Sequence, residues 1–152
     1  NQSPKKIADA IKKVRIRKLP DSNQLPNIGS FFQNPRVKAS LADKLKKQFP
    51  KMPEFEKTNL SSKISAAWLI DKSNLKGYKI GDAGVYKKHS LIVVNHGNAT
   101  PNEVFKLAQK IQTTVLDTFG IWLIPEPSVI SSFEKIASSL MSPRNQIHNH
   151  HN

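Results

Sequence analysis

The chain has 152 residues, with 24 Lys and Arg against 11 Asp and Glu, a formal net charge of +13 and no cysteine. That length supports one domain burying roughly 70 % of its unfolded surface, and the missing cysteine excludes disulfides, thiolate zinc sites and cysteine nucleophiles. No run of about 18 apolar residues occurs, and the N-terminal residues are too polar for the core of a signal peptide, so a soluble, cytoplasmic protein with no membrane partner is expected.

Ser3-Pro4 offers an N-cap and a proline at the first helical position, and Ile7, Ile11 and Val14 follow at helical spacing. This predicts a helix from about Pro4 to Val14. Alternating basic and apolar residues over Arg15–Leu19 predict a short extended segment ended by Pro20. From Asp21 to Asn34 the prolines, amides and glycine read as a loop. Ser40 and Asp43 resemble a capping box for a helix carrying Leu41, Ala42, Leu45 and Phe49 on one side, with Pro50 as its stop. Met52–Leu60 has no period and reads as a loop. Ser61 or Ser62 would cap the next helix, whose apolar face is Ile64, Ala67 and Trp68, with Lys76-Gly77 as a stop.

The most strand-like run is Leu91–Val94, whose consecutive aliphatic residues predict a central strand covered on both faces. Thr100-Pro-Asn-Glu103 is a capping box with proline at the first position. Val104, Leu107, Ala108, Ile111, Val115 and Phe119 form one stripe, closed by Gly120. A strand over Ile121–Ile124 would then lie parallel to, and beside, Leu91–Val94. A last helix is expected over Ser132–Met141, followed by a disordered polar tail over 142–152. The fold class is α+β: one domain over residues 1–141, a small sheet with helices packed on it.

Chemistry concentrates around Gly29-Ser30-Phe31-Phe32. The glycine permits a tight approach and the aromatic pair supplies an apolar seat, so the hydroxyl can be aimed from low-dielectric surroundings. Pro125 and Pro127 flank Glu126 and fix it where the predicted strand ends. Lysines are scattered and seldom interleaved with aromatics, which disfavours nucleic acid as a partner, although a basic nucleic-acid-binding module is the alternative reading. His148-Asn-His-His151 lacks the fixed geometry of a metal site, and no metal is expected.

Lys18-Leu-Pro-Asp21, Gly29-Ser-Phe-Phe-Gln-Asn-Pro35, Ala66-Ala-Trp-Leu-Ile-Asp71 with Leu75-Lys-Gly77, Val85-Tyr-Lys-Lys-His-Ser-Leu-Ile-Val-Val-Asn95 and Trp122-Leu-Ile-Pro-Glu126 occur in order. Together they resemble the C-terminal, substrate-binding domain of the UDP-N-acetylenolpyruvoylglucosamine reductase family. The resemblance implies Ser30 as proton donor and Glu126 as stabiliser of the intermediate. It implies Lys18, Asn34 and His89 as residues that bind the nucleotide-sugar substrate, UDP-N-acetylenolpyruvoylglucosamine. The family's complete enzyme uses FAD and NADPH and serves peptidoglycan synthesis. No segment here resembles its flavin-binding part, so FAD is not expected to bind this chain alone, and the isolated chain is expected to be inactive without that partner domain. After Glu126 the family's basic residue and nearby glycine are replaced by Pro127-Ser-Val-Ile-Ser131. A catalytically degenerate copy is therefore a further alternative.

Overall fold

A computed structural model describes residues 17–18, 26–132, 140, 141 and 143. The helix expected near Pro4–Val14, most of the one expected over Ser132–Met141, and the tail apart from Pro143 lie outside these. The architecture is α+β, with two antiparallel sheets. Strands β1 (Arg17–Lys18), β2 (Pro26–Ser30), β6 (Lys79–Ile80), β7 (Ala83–Val85) and β8 (Ile92–Asn95) form a five-stranded sheet in the order β1-β2-β8-β7-β6. Strands β3 (Arg36–Lys38), β4 (Glu54–Phe55) and β5 (Ser61–Ile64) form a three-stranded sheet in the order β3-β5-β4. The described helices are α1 (Ala39–Gln48), α2 (Ala66–Lys72), α3 (Pro101–Phe119) and α4 (Pro127–Ser132).

Helix α3 forms as its sequence dictates. Thr100 Oγ1 accepts from the Glu103 N–H and Glu103 Oε1 from the Thr100 N–H, and Gly120 ends the helix in the left-handed region at φ 72°. Its predicted stripe, Val104, Leu107, Ala108, Ile111, Val115 and Phe119, is buried throughout. This stripe joins Ala83, Val85 and Val93 of the larger sheet and Leu69 and Ile70 of α2 in one core. Strand β8 is central in its sheet, as the aliphatic run predicts, with Val93 and Val94 buried.

Other expectations are corrected. The segment up to Ser30 is not all loop, because Pro26–Ser30 is inserted between β1 and β8 as a strand. Ser40 does not cap α1: Lys38 is the N-cap residue without a side-chain bond, and the Ala39 N–H donates to the Leu60 carbonyl at 3.0 Å. A tertiary contact thus replaces the local cap, while Asp43 pairs with Lys57 at 3.5 Å. Within the expected loop Met52–Leu60, Glu54–Phe55 pairs with β5. Ser61 and Ser62 begin that strand rather than a helix, and Ile64 ends it. The helix cap is Ser65, whose Oγ accepts from the Trp68 N–H at 3.1 Å, and α2 stops at Lys72, before Lys76-Gly77. Ser-Ser-Lys-Ile carries too few apolar residues to distinguish the two periods, and pairing on both sides decides for strand.

Burial alternates along Ile121–Ile124, but among the described residues it joins no ladder and has no parallel partner. It meets the chain after β2 at one antiparallel bridge, Phe32 with Pro125. Pro125 and Pro127 have no N–H to continue pairing. Gln112 anchors this segment from α3: its fully buried side-chain amide donates to the carbonyls of Leu123 at 2.9 Å and Leu140 at 2.6 Å.

Candidate functional site

Strand β2 reaches Ser30 through a register irregularity. Asn27 pairs with Val94 and Ser30 with Ile92, so β2 has one more residue than β8 between these pairs. A bulge of this kind bends the strand and re-aims its side chains. Ser30 is half-buried at the strand's end, directly before Phe31 and Phe32, which are both 1 % exposed with ring centroids 4.9 Å apart. The serine's backbone is therefore seated against packed apolar surface.

Three segments distant in sequence converge there. The Phe31 N–H donates to the Leu91 carbonyl at 3.1 Å, and the Phe31 carbonyl accepts from the Glu126 N–H at 2.8 Å. The Gln33 N–H donates to the Ile124 carbonyl at 2.8 Å, and its side-chain amide to the Pro125 carbonyl at 3.0 Å. The Val129 N–H donates to the Glu126 carbonyl at 2.9 Å. Both backbone groups of Glu126 are thus bonded, one of them to the residue that follows Ser30. Val129, in the first turn of α4, supplies one of those anchors.

His89 is exposed on the turn between β7 and β8, and its carbonyl accepts from the Ile92 N–H at 3.1 Å. It is not a partly buried residue at a strand start, yet its turn adjoins Ser30 through Leu91 and Ile92. Asn34 has a structural task as well as an exposed position: its Oδ1 accepts from the Ala66 N–H at 2.9 Å, at the start of α2. Lys18 is paired opposite Pro26, at the far end of β2 and roughly 13 Å along the strand from Ser30.

A cleft of about 470 Å³ opens beside this junction, lined by Gln33, Asn34, Pro35, Arg36, Lys63, Trp122, Ile124 and Glu126. The structure brings Asn34 and Glu126 together in it, while Ser30 lies outside its lining. Arg36 and Lys63 are lining residues that the sequence reading did not single out. Arg36 directly follows the Gly-Ser-Phe-Phe-Gln-Asn-Pro motif, which is the one sequence signal that could have flagged it. Lys63 carried none, because its strand was read as helix.

The N-termini of α2 and α3 do not fit a flavin's phosphates. Dinucleotides are held by glycine-rich turns and free helix N-termini. Here the first turn of α3 is occupied by Thr100 and Glu103, and that of α2 by Ser65 and Asn34. Among the described residues no group of three or more His, Asp or Glu could hold a metal ion, and no helix is long and apolar enough to cross a membrane.

The fold is a small α+β domain in which a serine-bearing strand end and a glutamate-bearing segment are tied by backbone hydrogen bonds. Residues 20–130 match the family described as UDP-N-acetylenolpyruvoylglucosamine reductase, C-terminal domain, and the chain belongs to this family. A UDP-N-acetylenolpyruvoylglucosamine reductase of Photorhabdus laumondii is 43 % identical over 132 residues, 87 % of this chain and 39 % of the relative. That of Buchnera aphidicola is 43 % identical over 131 residues, 86 % of this chain and 38 % of the relative. That of Neisseria gonorrhoeae is 44 % identical over 124 residues, 82 % of this chain and 36 % of the relative. The chain thus spans less than two-fifths of the length of these relatives.

Proposed function

We propose that this chain is the substrate-binding part of an oxidoreductase that converts UDP-N-acetylenolpyruvoylglucosamine to UDP-N-acetylmuramate for peptidoglycan synthesis. The observation that supports this reading is the backbone bond from Glu126 to Phe31, which ties the glutamate's segment to the residue after Ser30 across more than ninety residues of sequence. Reduction of an enol ether conjugated to a carboxylate adds a hydride to one alkene carbon and a proton to the other. FAD and NADPH would supply the electrons from a part of the enzyme that these residues do not build.

Within this chain, Ser30 is the proton donor to the carbanion-like carbon. A hydroxyl is a weak acid in water, so the role depends on the apolar seat of Phe31 and Phe32 and on exclusion of bulk water. Glu126, beside the substrate carboxylate, stabilises the intermediate as charge moves onto that group. The Asn34 amide nitrogen, His89 and Lys18 serve the nucleotide, with Lys18 as a point charge for phosphate.

Calorimetric titration with UDP-N-acetylenolpyruvoylglucosamine tests the binding role, with an oligonucleotide at the same ionic strength as control. Saturable one-to-one binding of the sugar nucleotide, weakened by Lys18→Ala and Asn34→Ala, is expected. Binding of the oligonucleotide alone would overturn the reading. In an enzyme completed with its flavin-binding part, Ser30→Ala should lower turnover by about 10²–10⁴-fold, and near-normal turnover would remove Ser30 as the donor.

A further inference from the structure

Helix α3 buries one polar side chain, Gln112, on the same side as Ala108 and Val115 of its apolar stripe. Its Nε2 donates to the carbonyls of Leu123 at 2.9 Å and Leu140 at 2.6 Å. Both partners accept only, which fixes the end of the amide that faces them. Oε1 is buried as well, and among the described residues no donor meets it. An unpaired buried oxygen works against folding, and an apolar side chain of the same length would avoid it.

The amide holds a segment that has no sheet around it. Ile121, Leu123 and Pro125 are buried, while Trp122, Ile124 and Glu126 line the cleft. In a strand such alternation is pinned by ladder partners, and a slip of one residue exchanges the two faces. Among the described residues the backbone bonds of this segment begin at Ile124, where Gln33 and Phe31 are the partners. Residues 121–123 are held through side chains instead. Gln112 takes the Leu123 carbonyl, and the Trp122 indole N–H donates to the Leu140 carbonyl at 3.2 Å.

The Leu140 carbonyl therefore receives both Gln112 and Trp122. Leu140 itself is 2 % exposed and belongs to the core, although it lies beyond residue 130, where the family match ends. A buried polar bridge that is not fully satisfied adds little to stability, but it permits one arrangement of its partners and penalises the others.

We propose that Gln112 is a positioning residue of the cleft. By bridging the Leu123 and Leu140 carbonyls it takes the place of a missing neighbouring strand, keeps Trp122, Ile124 and Glu126 on the cleft side, and uses the segment at Leu140 to hold the Trp122 ring. That a nucleotide sugar occupies this cleft rests on the function proposed above, whereas the bridge is independent of the ligand.

The test combines proton–nitrogen spectra of the isotope-labelled chain with calorimetric titration of UDP-N-acetylenolpyruvoylglucosamine. Each tryptophan gives one indole N–H signal, and Trp68→Phe identifies the one from Trp122. Gln112→Met keeps the length and removes the donor. It should move the Trp122 signal toward that of an indole without a hydrogen bond and weaken binding about tenfold. Gln112→Glu, at a pH that keeps the acid neutral, retains one O–H donor and should recover part of both changes. Leu107→Ala, on the same helix, controls for stability alone: it should lower the melting temperature and leave signal and affinity unaltered. An unmoved signal or full affinity in Gln112→Met would overturn the positioning role, as would equal changes in Leu107→Ala. The unaltered chain gives a check that depends on no variant folding. Its Gln112 side-chain amide protons should exchange with solvent about tenfold or more slowly than those of exposed Gln48, and equal rates would overturn the bridge. If the signals behave as expected while the unaltered chain fails to bind the sugar nucleotide, the bridge stands and the proposed function falls.

Discussion

Helix α3 with the five-stranded sheet and the small sheet β3-β5-β4 are built on opposite principles. In the first, capping box, terminal glycine, buried stripe and aliphatic central strand all agree. Even the turn between β6 and β7 is tied in, since Glu103 Oε1 accepts from the Asp82 N–H at 3.3 Å as well as from its own N-cap. In the second, α1 starts without a side-chain cap, like charges face each other, and Phe55 and Leu60 remain 44 % and 84 % exposed. One region holds the fold together, and the other presents groups to the cleft. Agreement among local rules gives a stable frame, and the departures from them accumulate in the region beside the cleft.

The largest expected effect comes from cutting into the frame. Leu107 is fully buried in α3, so Leu107→Ala should destabilise the protein by about 3 kcal/mol through lost burial and the cavity left behind. Phe55→Ala in the small sheet should change stability by only about 0.5 kcal/mol despite the larger side chain. Urea denaturation of both variants checks the contrast, and equal losses would break it.

A smaller effect sharpens the comparison at the frame's edge. Gly81 has φ 57°, and a Cβ there would collide with the Glu103 carboxylate. Gly81→Ala should therefore cost about 1–2 kcal/mol by combining backbone strain with disruption of the capping box. Thermal melting of Gly81→Ala beside Glu103→Gln tests this coupling. Additive losses in the double variant would show the turn and the helix cap to be independent.

The smallest effect is pH-dependent. His96 packs over Gly84, where a Cβ would come within 3.0 Å of its Nε2. Its pKa lies below the ordinary 6.5, first because burial penalises the charged ring and then because Lys79 repels it; Lys87 adds to this and Asp82 opposes it. The neutral form is therefore favoured by folding. Its contribution is fully present above pH 6.5 and is lost as pH falls through the lowered pKa. The melting temperature should decline slightly over that range, and His96→Gln should flatten the decline. An unchanged slope would assign the effect elsewhere.

Local signals were enough to read α3 from Thr100 to Gly120, the central position of the Ile92–Asn95 strand and the α+β class. Each depends on residues within a turn or two of one another: a cap on its own helix, a stripe at 3.6-residue spacing, a β-branched run. The family was legible too, because the resemblance is itself written in contiguous segments. Misread elements all depended on distant partners. Pro26–Ser30 is a strand only because β1 and β8 flank it, and α1 needs no cap because Leu60 supplies an acceptor.

The cleft shows the same division. No spacing in the sequence connects Arg36 with Lys63, or either with Glu126, because strand register and a single bridge at Pro125 bring them together. The sequence by itself determined which segments carry strong local preference and which residue types are available for chemistry. Tertiary structure alone decided which of those residues share a cleft, since backbone hydrogen bonds between remote segments fix positions that local propensity leaves open.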